Sequence, residues 1–244
     1  MTTRQIVIAF AVLVLIGVVV GLARDTKPTP PVVVTPPSPQ ETKFCYYYSE
    51  KTPSGLYDRA WIRIKGTTDS KVTGEFNNYP AEKDSKIGTF AGSEYREGED
   101  GVGEYLVIWD ILAEGMRAKE ELFISNSNEF AAAAFGEMVQ GSNGVYVYKD
   151  KTKVTYQTPL PQIDCAQLDE IVAVETYLKT ADIEVITKEK PVLGGKWYMT
   201  SVVANPATDT ANISYEDGHI AGKGTLTYTF DNGKVTVVSF TKSK

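Results

Sequence analysis

Residues 60–77, AWIRIKGTTDSKVTGEFN, read as two strands with a turn between them. Ala60, Ile62 and Ile64 alternate with Trp61, Arg63 and Lys65. Val72, Gly74 and Phe76 alternate with Thr73, Glu75 and Asn77, and Thr67–Asp69 supplies the turn. Period-two alternation puts every second side chain on one face, the pattern of a half-buried strand. The same kind of run recurs at 86–94, 104–112, 119–125, 129–138, 144–149 and 152–157. Turn signals separate these runs at Pro53-Ser54-Gly55, Asn78–Asp84, Gly98–Gly103, Asn126–Asn128 and Gly141–Gly144. Eight short strands with tight connections predict an antiparallel meander. In about 120 residues the economical way to bury one face and remove the edges is a small closed barrel. Residues 105–112, YLVIWDIL, are apolar on both faces except at Asp110, which predicts a strand covered on both sides, with a neighbouring domain as the cover. Ala131–Ala134 is a run of small residues that either leaves space inside a barrel or allows close packing.

The chain has two cysteines, Cys45 and Cys165, and they bracket this block. In an exported protein such a pair is expected to form a disulfide that ties the two ends of one domain together.

Export is expected from the N-terminus. Residues 6–23, IVIAFAVLVLIGVVVGLA, carry no charge. As a helix they span roughly 27 Å, close to a hydrocarbon core of about 30 Å. Arg4 before the run favours a cytoplasmic start, while Arg24 and Lys27 after it blur that signal. The expected organisation is a membrane signal-anchor at 1–24. Cleavage after Ala23, as in a signal peptide, is the alternative, and both readings place the rest outside the cytoplasm in the periplasm or at the cell surface. Residues 25–43 form a linker whose core, PTPPVVVTPPSP (28–39), favours extended polyproline II and suits a stalk or spacer. Residues 1–43 hold four basic residues and two acidic ones. Of the chain's 25 basic and 31 acidic residues, the remainder leaves the exported part at −8. An acidic body without a basic cluster argues against nucleic acid as a partner.

Beyond the barrel block (44–165), residues 166–181 predict a connecting helix. Asp164 and Gln167 suit a capping box, and Leu168, Ile171, Val174 and Leu178 form an apolar stripe at helical spacing. Residues 182–244 predict a small β domain, with strands at 183–188, 196–204, 210–216, 224–230 and 233–241 and a hairpin signal at Asp231-Asn232-Gly233. Gly195-Lys196-Trp197 resembles the G-x-W that opens the first strand of lipocalins. Fewer than 50 residues follow it, too few for a second eight-stranded barrel, so a small open antiparallel sheet packed on the first domain is expected.

The fold class is therefore mostly β: an N-terminal transmembrane helix, a meander barrel, a short helix and a small antiparallel sheet. The block carries a resemblance in TGEFNNYPAEKDSKIGTFAG (73–92), IWDILAEGM (108–116), EELFIS (120–125), FGEM (135–138), YVYKDKTKVTY (146–156) and IDC (163–165). These stretches resemble uncharacterised, membrane-anchored proteins of bacterial envelopes with calycin-like barrels. The resemblance covers about half the chain and brings no activity and no catalytic residues.

Chemistry-bearing residues are sparse. Asp110, Glu114, Glu120, Glu121 and Glu137 could supply an acid and a base for glycan hydrolysis, and the bland reading is solvated acids at strand ends. Asp110, with Trp109 beside it, stands out for its apolar surroundings. Tyr215-Glu216-Asp217-Gly218-His219 could place Glu216, Asp217 and His219 at a metal or a pH-sensitive contact, and the bland reading is a tight turn. His219 is the only histidine, and no phosphate loop, nucleophile elbow or histidine-based zinc motif is present. No cofactor, metal or catalytic set is assigned. The expectation is a membrane-tethered binding or interaction protein of the cell envelope, not an enzyme, with an envelope protein, a glycan or a small apolar ligand as partner. An envelope glycan hydrolase and a structural spacer are the alternatives.

Overall fold

The computed structural model describes residues 42–66, 70–97, 102–192 and 195–243. The expected anchor (1–24) and the linker as far as residue 41 lie outside the described residues. Thr42 and Lys43, assigned above to the linker, begin the first strand.

Strands β1 (Thr42–Lys51), β2 (Tyr57–Gly66), β3 (Lys71–Tyr79), β4 (Lys86–Glu97), β5 (Gly103–Ala113), β6 (Met116–Asn126) and β7 (Phe130–Phe135) pair antiparallel in sequence order. The chain then makes a side hairpin, β8 (Met138–Gln140) and β9 (Tyr146–Tyr148). It returns along β7 as two in-line pieces, β10 (Thr155–Tyr156) and β11 (Leu160–Ile163). β11 pairs with β1, so the ring closes as an eight-stranded antiparallel barrel whose eighth strand is broken.

The barrel is the expected one, but its membership differs. Neither β1 nor β11 was among the expected strands, although their pairing closes the ring. Residues 144–149, expected as a barrel strand, instead form half of the β8–β9 hairpin, whose β9 pairs parallel with the start of β6 at Glu120 and Tyr146. Residues 152–157 supply a one-turn 3-10 helix (Lys151–Lys153) and then β10.

Inside the ring, Tyr46, Ile62, Phe76, Phe90, Trp109, Leu122 and Ile124 form the core. Removing each such side chain from water contributes about 1.5–3 kcal/mol. The Phe76 and Trp109 rings lie 4.8 Å apart.

After the ring come α1 (Cys165–Thr180), α2 (Ile183–Thr187), β12 (Tyr198–Asn205), β13 (Thr210–Glu216), β14 (Ala221–Asp231) and β15 (Lys234–Lys242). The last four form an antiparallel sheet in sequence order. Asp164 caps α1 by accepting a hydrogen bond from the Ala166 N–H at 2.8 Å. All four stripe residues are buried: Ile171, Val174 and Leu178 against the C-terminal sheet, and Leu168 against Cys45 and Trp61 of the barrel. The helix is thus a wedge between ring and sheet, which together with it make one compact unit, Pro39–Lys244. Cys45 and Cys165 are joined as a disulfide, tying β1 to the first turn of α1.

Two expectations fail here. Residues 183–188 form helix α2 rather than a strand. Asp182 accepts hydrogen bonds from the Glu184 and Val185 N–H groups, and this cap outweighs the β-branched run that follows. Nor does a neighbouring domain cover the outer face of β5. α1 lies on β1 and β2, where the disulfide fixes it, so Ile108 and Leu112 remain 38% and 37% exposed. Only Leu106 gains cover, from Phe123 and Tyr148 beside the β8–β9 hairpin.

Candidate functional site

The barrel is closed at one end and hollow at the other. At the closed end the Tyr46 hydroxyl donates to the Ser127 carbonyl at 2.8 Å and accepts from Asn126 Nδ2 at 3.2 Å. Mid-barrel, the Trp109 indole N–H donates to the Phe76 carbonyl at 3.2 Å. Trp109 therefore belongs to the floor of the ring.

Beyond Phe76 a cavity of about 690 Å³ opens towards the β1–β2 and β3–β4 turns. Its apolar walls are Ala60, Phe76, Ala133 and Leu160, brought together from β2, β3, β7 and β11. The space exists because Ala60 and Ala133 face inward where larger residues would fill the ring. The alanine run does both things expected of it. Ala133 borders the cavity, while Ala134, facing outward, lets the Tyr148 hydroxyl reach its carbonyl at 2.6 Å.

The rim is polar. β2 alternates Asp58, Ala60, Ile62 and Ile64 on its inner face, so Asp58 lines the cavity above Ala60. Its Oδ1 accepts from the Ala81 N–H at 2.7 Å and holds the β3–β4 loop at the mouth. Tyr48 stands beside it on β1 and donates its hydroxyl to Glu50. That hydrogen bond, with partial burial and the charges of Glu50 and Asp58, pushes the Tyr48 phenol up to about 12. Elsewhere at this end Lys86 and Glu120 occupy inward-facing register positions. The Lys86 ammonium meets both Glu120 oxygens, at 2.8 and 2.9 Å.

A larger space of about 1040 Å³ runs along β15 beside α1 and α2, and a smaller one of about 420 Å³ separates β1 from the β12–β13 turn. Neither is walled by the closed ring, which makes the cup at the barrel mouth the candidate site.

Of the residues singled out from sequence, Glu120 faces into this end of the ring, paired with Lys86, and Trp109 lies in its floor, while the others stand elsewhere. Asp110 faces outward on β5, 3.9 Å from Arg117 on β6. Glu114 lies in the β5–β6 turn. It is paired with Asp84 rather than Asp110, and the hydrogen bond and charge of Asp84 raise its carboxyl pKa. The run 215–219 is a turn. Asp217 accepts from the backbone N–H groups of Ile220, Val192 and His219, at 2.8, 2.6 and 2.9 Å, and these bonds hold its carboxyl below the usual carboxylate range. Glu216 takes the Tyr198 hydroxyl, and His219 is exposed. Among the described residues no group of three or more metal-ligating side chains comes together. The cup residues Tyr48, Asp58 and Phe76 went unnoticed as a set. The one legible hint was Asp58, in phase with Ala60, Ile62 and Ile64.

No family model matches the chain, and no match was found among curated proteins or among solved structures.

Proposed function

We propose that this chain is a membrane-tethered, extracytoplasmic binding protein of the cell envelope, whose barrel cup takes a small, largely apolar ligand. The observation that carries the reading is the cup itself: a cavity of about 690 Å³, apolar below and polar at the rim, at the mouth of a closed ring. A closed eight-stranded meander with a hollow end supports a calycin-like barrel. The Cys45–Cys165 disulfide supports an oxidising compartment, and the uncharged run at 6–23 supports the tether.

The unit 39–244 contains every contact described above, so it can be tested without the apolar N-terminus. Secreted in oxidised form and titrated with N-phenyl-1-naphthylamine, it should give saturable fluorescence enhancement at one site. Ala133→Trp should abolish that signal by filling the cup, and Ala60→Leu should weaken it, with thermal unfolding checking that each variant folds. No saturable binding, or binding unchanged in both folded variants, would remove the cup reading and leave the outer surface as the working part.

A further inference from the structure

We infer that the ligand of the cup carries a protonated amine, seated at Asp58, on an apolar body that lies against Ala60, Phe76, Ala133 and Leu160. The inference rests on the cup reading above and adds the chemistry of the head group.

At this end Lys86, Glu120 and Asp58 occupy inward-facing register positions. Lys86 and Glu120 neutralise one another through two short hydrogen bonds. Asp58 has no such partner. Among the described residues it accepts one hydrogen bond, through Oδ1 from the Ala81 N–H, and forms no ion pair. A carboxylate offers about four acceptor positions, so most of its capacity is unused. An apolar ligand filling the cup would strip water from this carboxylate and return nothing, and an anionic head would add repulsion. A protonated amine returns charge-assisted hydrogen bonds. The Tyr48 hydroxyl is already committed to Glu50, which leaves its ring as a surface a cation can lie on. Arg59 also borders the cup, but its guanidinium is held by Glu175 on α1. Lys83 lies at the rim on the exposed β3–β4 loop, with Glu82 of opposite sign beside it.

The test is displacement of N-phenyl-1-naphthylamine from the oxidised 39–244 unit at pH 7, by dodecylamine, dodecanol and dodecanoate below their micellar concentrations. Dodecylamine should displace the probe at roughly tenfold lower concentration than dodecanol, with dodecanoate weakest. Asp58→Asn keeps an acceptor for the Ala81 N–H but removes the charge. It should erase the advantage of the amine, weakening dodecylamine while dodecanol, spared the cost of stripping water from a carboxylate, binds at least as well as before. Glu184→Gln removes one exposed carboxylate from α2 and should change none of the three, which separates a seated amine from general attraction to an acidic body. Dodecanoate equal to or tighter than dodecylamine, an amine preference surviving Asp58→Asn, or an equal loss in Glu184→Gln would each overturn the inference while leaving the cup as a site. Failure of the naphthylamine probe to bind at all would remove the cup reading and this one together.

Discussion

Arg59 on β2 and Glu175 on α1 meet at 2.5 Å with side chains only 8% and 7% exposed. Two further strands, β12 and β3, reach this pair, and a second cation of α1 stands beside it. The Ala204 N–H of β12 approaches Glu175 Oε1 at 3.5 Å, the Tyr79 ring lies 5.1 Å from the Arg59 guanidinium, and the Lys179 ammonium lies 4.9 Å from the same ring. Burial lowers the Lys179 pKa, against the pull of Glu175. The attraction within a buried pair is largely cancelled by desolvation, so its energetic signature appears when one member is removed. Glu175→Ala leaves a buried guanidinium and should cost about 3–5 kcal/mol, whereas the double variant Arg59→Met/Glu175→Leu should cost far less. Urea unfolding of both variants decides it. Equal losses would mean that the pair is not what couples ring to helix.

Alkaline stability should be set by tyrosines. Burial, helped by the charge of Glu175, pushes the Tyr47 phenol up to about 12. In the unfolded chain that phenol titrates near 10. Between those values the folded state keeps a proton that the unfolded state has lost. The contribution is therefore complete below pH 10 and is lost as pH rises towards 12. For Tyr47 it amounts to on the order of 2–3 kcal/mol. Tyr148 and Tyr215, both raised to about 12 with burial as the first cause, act in the same direction. Urea midpoints measured from pH 8 to pH 12 should fall steeply over the upper half of that range. Tyr47→Phe should fall less steeply; an unchanged slope would place the titrating groups elsewhere.

The parts of this fold that sequence reading found are those whose signal is local. β13 spans 210–216 as expected, and the Asn232-Gly233 turn has both residues at positive φ, as a two-residue hairpin of the primed type requires. The α1 stripe was legible because one helix face meets two cores. β1 was missed because Phe44-Cys45-Tyr46-Tyr47-Tyr48 shows no polar alternation. Phe44, Tyr46 and Tyr48 face the barrel core while Cys45 and Tyr47 meet the helix layer, so neither face needs polar residues. The cup was not legible because Ala60, Ala133 and Leu160 become neighbours only when the ring closes.

Ring curvature depends on glycines where strands approach too closely for a side chain. A Cβ added at Gly88 of β4 would lie 1.9 Å from the Asp110 carbonyl oxygen of β5. Backbone cannot yield as a side-chain tip can, so Gly88→Ala must separate β4 from β5. The expected loss is roughly 2–4 kcal/mol, within the range of overpacked sites. Gly66→Ala is the control, since its added Cβ meets nothing within 4 Å, and it should shift stability by no more than about 0.5 kcal/mol. Similar losses in the two variants would point to a general intolerance of alanine in these strands rather than to the close approach.

The Cys45–Cys165 disulfide and the Arg59–Glu175 pair hold the same helix to the same pair of strands, one near its first turn and the other near its third. The disulfide acts chiefly on the unfolded chain, where it closes a loop across a separation of 120 residues. The chain-entropy model assigns such a closure about 4–5 kcal/mol. Cys45→Ala/Cys165→Ala should therefore lose several kcal/mol in urea while naphthylamine binding, measured well below the melting temperature, persists. The ion pair acts on the folded state, so the two effects couple only if the helix leaves the ring once both ties are cut. Adding Glu175→Ala to the cysteine variant tests this directly. A combined loss equal to the sum within about 0.5 kcal/mol means that Leu168 and its neighbours still hold α1 in place. A larger combined loss, with near-ultraviolet signal and amide protection lost first over 165–180, means that these two contacts are what fasten the helix and the C-terminal sheet to the barrel.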